Sequence, residues 1–396
     1  MGRIIIFTGK GGTGKTSIAA AHAAASAREG KNTLFVSADM AHNLGDIFEV
    51  EAGSSEVQVR EHLSLLELDP ETLMRDEYPN VNKAILSMID SSGYSKNTGT
   101  GFMIPGFENL FSLLKIRDIY ESGVYDRIIV DCAPTGETLS LLKLPELLAW
   151  YVEKFSPVGR MMVRVLSPIS KFKYKVTLPS SKDLDDLGLL YMQLIELQAF
   201  LKNPEICSIR LVCIPEKMVV EETKRNYMYL NLYEYHVDRL FINRVLPEET
   251  GSDFMDHWRD AQKKYIDELE RVFTEIPVTK VPWYAQEIRG NAAIDRLADH
   301  VSEIPELFAL MPPILRDVYE QTEEGYCLSI RLPQAAGNEV EVVMHQMDID
   351  VKVNNFNRCI PLPNVLRNAE VITTKIVDDR LCIYMRCHDE DMEVQP

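Results

Sequence analysis

The stretch Gly9-Lys10-Gly11-Gly12-Thr13-Gly14-Lys15-Thr16 constrains this chain more than any other. Glycines at the spacing of a phosphate-binding loop lead into a lysine and a hydroxyl. The apolar run Ile4-Ile5-Ile6-Phe7 precedes them, and the alanine-rich run Ser17-Ile18-Ala19-Ala20-Ala21 follows. Such a loop requires a strand before it and a helix after it, and these flanks separate the motif from a glycine-rich turn that binds nothing. Glycines let backbone N–H groups approach phosphate oxygens, and the helix turns its positive end toward them. Gly11, Gly12, Thr13, Gly14 and Ser17 thus belong to a phosphate cradle. Lys15 reaches the β- and γ-phosphates, and Thr16 places its hydroxyl on Mg²⁺. The implied ligand is a nucleoside triphosphate with magnesium. Lys10 is not needed for cradling, and on sequence alone it reads equally as a solvated surface charge.

The remaining composition bounds the partners. A chain of 396 residues with 46% apolar side chains is long enough for two domains and a sizeable core. A formal charge of −18 argues against nonspecific nucleic-acid binding, which rests on phosphate neutralisation by lysine and arginine. Seven cysteines without a C-x-x-C pair fit a reducing compartment and argue against structural zinc. Met1-Gly2-Arg3 runs directly into the first strand, leaving no room for a secretory signal, and Ile6 breaks the myristoylation pattern. With no run of eighteen apolar residues, the expectation is a cytoplasmic protein, or a stromal one were the sequence a processed form.

Short apolar strand signals recur at Thr33-Leu34-Phe35-Val36, Arg127-Ile128-Ile129-Val130, Ile209-Arg210-Leu211-Val212-Cys213 and Arg239-Leu240-Phe241-Ile242. Helical patterns separate them. This alternation predicts an α/β fold, a phosphate-loop NTPase with a mostly parallel sheet and ligands at the carboxyl ends of its strands. Two insertions, 70–120 and 145–201, carry Leu, Met and aromatics at helical spacing and predict one helical subdomain. From about 325 to 388 the period changes to two, as in Leu328-Ser329-Ile330-Arg331-Leu332 and Val340-Glu341-Val342-Val343, predicting a C-terminal β-sandwich. Residues 389–396 read as a flexible charged tail.

Two strand-end carboxylates carry candidate chemistry. Asp39, in Val36-Ser37-Ala38-Asp39, is placed to orient an attacking water and accept its proton, although a strand-end Asp without further context is more often a helix cap. Asp131 closes Ile128-Ile129-Val130-Asp131, where phosphate-loop enzymes hold Mg²⁺, usually through water. The following Cys132-Ala133-Pro134-Thr135-Gly136-Glu137-Thr138 suits either a loop that senses the γ-phosphate or an ordinary strand-to-helix turn.

Taken together these segments resemble the Get/ArsA family of deviant phosphate-loop ATPases, which drive arsenite pumps or deliver tail-anchored membrane proteins. Asp39 to Asn43 resembles its first switch and Asp131 to Thr138 its second. Met103-Ile104-Pro105-Gly106-Phe107-Glu108 is similar to its helical-subdomain segment. Ile214-Pro215-Glu216-Lys217 through Arg225, Phe241-Ile242-Asn243-Arg244 and Val281-Pro282-Trp283-Tyr284-Ala285-Gln286-Glu287 extend the match across 1–315. The resemblance implies ATP as the nucleotide, a homodimer that closes on it, Lys10 crossing to the partner's nucleotide, Asn243 reading adenine, and Pro282 to Glu287 closing over the base. It also implies a hydrophobic polypeptide client, a transmembrane helix among the candidates, and a membrane receptor. Met40 and Glu137 depart from the family's usual proline and histidine. The soft cysteine ligands of the metalloid branch are missing from the helical insertions, and so is the cysteine pair that bridges the eukaryotic dimers. The 325–388 region resembles the α-crystallin domain of small heat-shock proteins, or is a structural β appendage. The run Ser156 to Leu166, with Met161, Met162 and Lys171, Lys173 and Lys175 beyond it, reads either as an adaptable client surface or as core packing.

Overall fold

The computed structural model describes residues 2–39, 44–91, 109–132, 138, 142, 186–248, 253–311, 317–322, 325–333, 338–345, 348–354, 356–362, 366 and 369–386. The Met103–Glu108 and Ser156–Leu166 segments, Lys171, Lys173 and Lys175, Met40, Thr135, Glu137 and the 389–396 tail lie outside the described residues.

β1 (Arg3–Thr8) is buried along its whole length, as are β2 (Thr33–Ser37), β4 (Leu63–Glu67) and β6 (Cys207–Cys213). A strand that meets no water on either face needs apolar residues at consecutive positions, which is why the sequence signal is continuous there. With β3 (Val57–Arg60), β5 (Arg127–Asp131), β7 (Val237–Val245) and β8 (Val278–Pro282), these form an eight-stranded sheet among the described residues, in the order β3-β4-β2-β5-β1-β6-β7-β8. Every pairing is parallel except β3 with β4. The register aligns Phe7 with Asp131 and Ser37 with Asp131, so the carboxyl ends of β1, β2 and β5 finish in one row.

Alternate side chains feed two cores. Ile5, Phe7, Phe35, Ile129 and Phe241 face α1 (Lys15–Arg28), α2 (Leu44–Phe48) and a helix that follows β8. Ile4, Ile6, Val36, Ile128 and Val130 face the helices of the inserted region and those flanking β6. Ala19, Ala20, Ala21, Ala23 and Ala24 of α1 are fully buried. A helix packed between a sheet and another helix is apolar all round, and small side chains permit the close approach.

In the first insertion, Asp69 caps a single turn, α3 (Pro70–Thr72), accepting from the backbone N–H groups of Glu71 and Thr72. A π-helical turn, Leu73–Glu77, leads into α4 (Pro79–Ser91). α5 (Asn109–Glu121) is tied back by Tyr78 Oη to Asp118 at 2.6 Å and Lys115 Nζ to Glu77 at 2.6 Å. α6 (Asp186–Lys202) buries Leu190, Leu194, Leu197 and Leu201, the predicted helical spacing. The described parts of both insertions are therefore helical and share one core. The sheet is completed by α7 (Lys217–Leu232), α8 (Asp253–Val272) and α9 (Asn291–Ser302).

Toward the amino ends of β1, β6 and β7, Arg3 and Arg210 share the buried Asp238, with Arg3 Nη2 at 2.9 Å and Arg210 Nε at 3.2 Å. Burial opposes ionisation of Asp238, but the two guanidiniums more than reverse it and leave its pKa below the usual value. Arg3 Nη1 donates to the carbonyls of Phe308 and Ala309 and Arg210 Nη2 to that of Leu307, fastening the end of this unit to its own sheet.

The C-terminal strands form two antiparallel sheets, β14-β15-β10-β9 and β11-β12-β13, from β9 (Asp317–Thr322), β10 (Gly325–Arg331), β11 (Val340–Met344), β12 (Asp348–Val353), β13 (Phe356–Pro361), β14 (Glu370–Val377) and β15 (Arg380–Arg386). Leu328, Ile330, Leu381 and Ile383 of one sheet and Ile349, Val351 and Ile360 of the other are buried in a common core, giving a sandwich-like unit. β9 extends this sheet back to Asp317, ahead of the 325 boundary read from the sequence. The unit sits on α7. Tyr229 stacks on Phe356 at 3.7 Å between ring centroids, Tyr233 Oη donates to the Asn357 carbonyl, and Arg331 pairs with Glu275.

Candidate nucleotide site

The phosphate loop leaves β1 at Thr8 and enters α1 at Lys15. Gly9 passes so close to β6 that a Cβ there would lie 2.0 Å from the Val212 carbonyl oxygen. Gly14, immediately ahead of α1, has φ 89°, and a Cβ on it would lie 2.3 Å from Asn243 Nδ2. Both positions therefore demand glycine, for contact at the first and for backbone conformation and contact at the second. Thr13 Oγ1 donates to the Lys10 carbonyl at 2.9 Å, closing the loop on itself. Gly11 and Gly12 are exposed, Lys15 is buried, and Thr16 and Ser17 are half-buried at the mouth.

Asp131 lies beside this loop and is 1% exposed. Burial raises its pKa to about 7, although the Thr16 hydroxyl donates to its carboxylate and Lys15 lies near, and the Asp39 charge adds to the rise. Its Oδ1 has no hydrogen-bond partner among the described residues. A buried carboxylate oxygen left unpaired beside a threonine hydroxyl is a hard oxygen donor set, the chemistry Mg²⁺ takes. The residues present therefore fit that ion.

Asp39 is half-buried on the loop after β2, where Ser37 Oγ accepts from its backbone N–H at 3.2 Å. The Ala38 N–H donates to the Asp131 carbonyl at 2.9 Å, locking the two strand ends together. Lys10 Nζ lies 3.3 Å from Glu222 Oε2 on α7 of its own chain. Asn243, at the carboxyl end of β7, donates from Nδ2 to the Thr13 carbonyl at 2.8 Å. Asn243 thus braces the phosphate loop. Pro282 ends β8 and Glu287 lies on the exposed loop beyond it, held near β7 by the Trp283 N–H on the Val245 carbonyl at 2.9 Å. The fold brings Lys10 to Ser17, Asp39, Asp131 and Asn243 to one end of the sheet and sets Pro282 and Glu287 at its neighbouring edge.

Two further carboxylates emerge here without having been singled out in the sequence. Glu67, at the end of β4, is 5% exposed and accepts the N–H groups of Leu44 and Gly45 at 3.0 and 3.2 Å, fixing the far side of the Asp39 loop. Its signal was a carboxylate closing the apolar strand Leu63-Ser64-Leu65-Leu66, the pattern already noted at Asp131. Glu222 gave none, because a glutamate on a charged helix is an ordinary solvated residue.

A parallel sheet with a lysine–threonine phosphate loop at the head of its first helix and a buried aspartate at the end of a neighbouring strand defines a phosphate-loop NTPase. The chain belongs to the anion-transporting ATPase family, whose sequence profile matches residues 2–303, and residues 323–385 match the HSP20-like domain found in ArsA. It is 32% identical over 97% of its length to the whole of a protein of Aquifex aeolicus (strain VF5) provisionally named arsenical pump-driving ATPase 1. It is 33% identical, over 93% of its length and 92% of the relative, to a protein of Chlorobaculum tepidum that carries a similar provisional name. To the ATPase get3 of Pyrenophora tritici-repentis it is 29% identical, covering 75% of this chain and 90% of that one. These matches bear out the Get/ArsA resemblance and make the chain an ATPase. The described residues contain no helix long and apolar enough to cross a membrane.

Proposed function

We propose that this protein is a Mg²⁺-dependent, homodimeric ATPase in which binding and hydrolysis of ATP open and close a helical face for an apolar polypeptide client, a membrane-protein helix being the class that fits. The observation that carries the chemistry is Asp131, buried beside Thr16 and Lys15 with an unpaired oxygen. Thr16 and Asp131 would hold the metal, the carboxylate through water, and the ion would supply positive charge against that developing between the β- and γ-phosphates. Lys15 supplies the fixed cation on the same phosphates. Asp39 orients water and takes up its proton. Asn243 carries adenine recognition to the loop through its bond to Thr13, and the 282–287 segment closes over the base. Lys10 exchanges its own Glu222 for the partner's nucleotide when the dimer closes.

The client role rests on continuity. The described helices of both insertions share one core with the sheet faces that end at Asp39 and Asp131, so a shift at either loop reaches them through packed side chains. The relatives named for arsenical pumps supply a second reading. The described thiols of this unit speak against it, because Cys207 and Cys213 at the two ends of β6 and Cys132 directly after β5 are all buried, and burial raises the pKa of each, to about 12 for Cys207 and Cys213. Measuring Mg·ATP turnover with and without arsenite, alongside hydrogen exchange with and without a nonhydrolysable nucleotide, separates the readings. Client gating requires changed protection across 70–120 and 145–201 and no arsenite stimulation. Response confined to 325–388 overturns the helical-face proposal. Recovery of one working site in heterodimers of Lys10→Ala with Asp39→Asn subunits tests the crossing lysine.

A further inference from the structure

β7 and β8 pair in parallel register up to Ile242 opposite Lys280, and the pairing resumes with Val245 opposite Pro282. Asn243 and Arg244 therefore face Val281 alone, which makes a β-bulge at the carboxyl end of β7. The packing registers the same slip. Phe241 lies in the core on the α1 face and Ile242 in the core on the other, yet Val245, which strict alternation would put with Phe241, packs with Ile242. The extra residue is absorbed at Arg244, whose backbone is left-handed with φ 57°. Glycine adopts that conformation freely, but the Cβ of an arginine crowds the following carbonyl. Such strain persists only where the surroundings over-determine it.

Gln262 supplies the constraint. It projects from α8, is 7% exposed, and clamps the chain on both sides of Val245. Its Nε2 donates to the Arg244 carbonyl at 3.0 Å, and its Oε1 accepts the Leu246 N–H at 2.9 Å. A backbone N–H only donates and a carbonyl only accepts, so both bonds require one orientation of the amide. The Trp283 N–H on the Val245 carbonyl, at 2.9 Å, holds the bulge from β8. The residue that enters the bulge is Asn243. Pairing of β7 with β6 ends at Ile242 opposite Cys213, and just beyond it the Asn243 amide reaches the Thr13 carbonyl of the phosphate loop. Bulges beside functional sites re-aim a side chain in this way. We propose that Gln262 is a positioning residue of the nucleotide site, holding Arg244 in its left-handed conformation and thereby setting Asn243 on the phosphate loop. The contribution of Arg244 lies in its backbone. This role rests on the reading of the site as one that binds ATP.

The test measures Mg·ATP binding by calorimetry and steady-state turnover on the full chain. Gln262→Leu should weaken ATP by about 5–10-fold and raise KM to match, with kcat at saturation within about twofold of the parent. The same substitution in an Asn243→Ala background should cost less than about twofold, because the residue it acts through is gone. Arg244→Gly should restore most of the affinity lost in Gln262→Leu, whereas Arg244→Ala should not, since alanine keeps the Cβ. A packing role alone predicts neither the rescue nor its restriction to glycine. Unchanged affinity in Gln262→Leu, full additivity with Asn243→Ala, or equal rescue by alanine and glycine would each overturn the assignment. Should the leucine variant fold poorly, Gln262→Glu carries the same test, because its carboxylate accepts from Leu246 but cannot donate to Arg244. A parent that binds no ATP would sink the reading of the site and this role with it. Equal binding by the parent and the Gln262 variants sinks the positioning role alone.

Discussion

Asp131→Asn keeps the side-chain shape at the end of β5 while removing its charge, and it should make the nucleotide-free protein more stable. The Asp131 pKa rises from its ordinary value of 3.8 to about 7. At about 1.4 kcal/mol per pH unit, that is a cost of about 4 kcal/mol for holding the ionised carboxylate in the folded chain. For a raised carboxylate the sign runs against high pH. Between about pH 4 and 7 the unfolded chain has released the proton and the folded chain keeps it, so stability contributed by this group falls as pH rises and the full penalty stands above pH 7. Denaturant unfolding of the nucleotide-free ATPase transition should therefore show Asp131→Asn gaining up to about 4 kcal/mol at pH 8 and about 1–2 kcal/mol at pH 5. Mg·ATP should reverse the order, stabilising the parent far more than the variant, because a bound cation compensates the parent's charge. Since the ion needs the carboxylate ionised, the parent's Mg²⁺ affinity should weaken as pH falls below 7. A variant less stable than the parent at pH 8, or a stability difference that does not change with pH, would refute the reading of Asp131 as a charge held in waiting for a cation.

Lys15→Ala should abolish ATP binding in calorimetry, whereas Asp39→Asn should bind normally and lose turnover by about a hundredfold or more. Gly14→Ala places a methyl in a left-handed conformation against Asn243, so ATP affinity should fall by about tenfold or more, and by less in an Asn243→Ala background where the obstructing amide is gone. Equal losses in the two backgrounds would remove Asn243 as the obstruction. Asn243→Ala alone breaks the bond to the Thr13 carbonyl and should weaken ATP by roughly 5–10-fold, through about 1–1.5 kcal/mol of lost hydrogen bonding. Arg358, 5% exposed, lies 2.9 Å from Glu234 and 2.5 Å from Asp317. Arg358→Met should loosen the C-terminal unit from α7 at a cost of roughly 2–4 kcal/mol, by leaving two carboxylates together without their cation. Limited proteolysis near 312–316 with undiminished ATPase activity is the expected readout, and unchanged cleavage would refute that role.

Much of the nucleotide site is legible in the sequence because its determinants are local. The phosphate loop demands glycine where backbone, β6 and Asn243 come close. A lysine and threonine must open the helix, and strands buried on both faces announce themselves as unbroken apolar runs. Each of these is a condition on consecutive residues, and so is the period-two alternation that reveals the C-terminal sheets. What the tertiary structure decided depends on residues far apart in the chain. The Arg3–Arg210–Asp238 clasp, Glu67 holding Leu44 and Gly45, Lys10 against Glu222, and Asn243 bracing Thr13 all join charges or amides whose sequence neighbourhoods are unremarkable. Asp131 shows the division most sharply. Its position at a strand end is a local signal, but its pKa near 7 arises from burial by the whole sheet and from Asp39 on a neighbouring strand's loop.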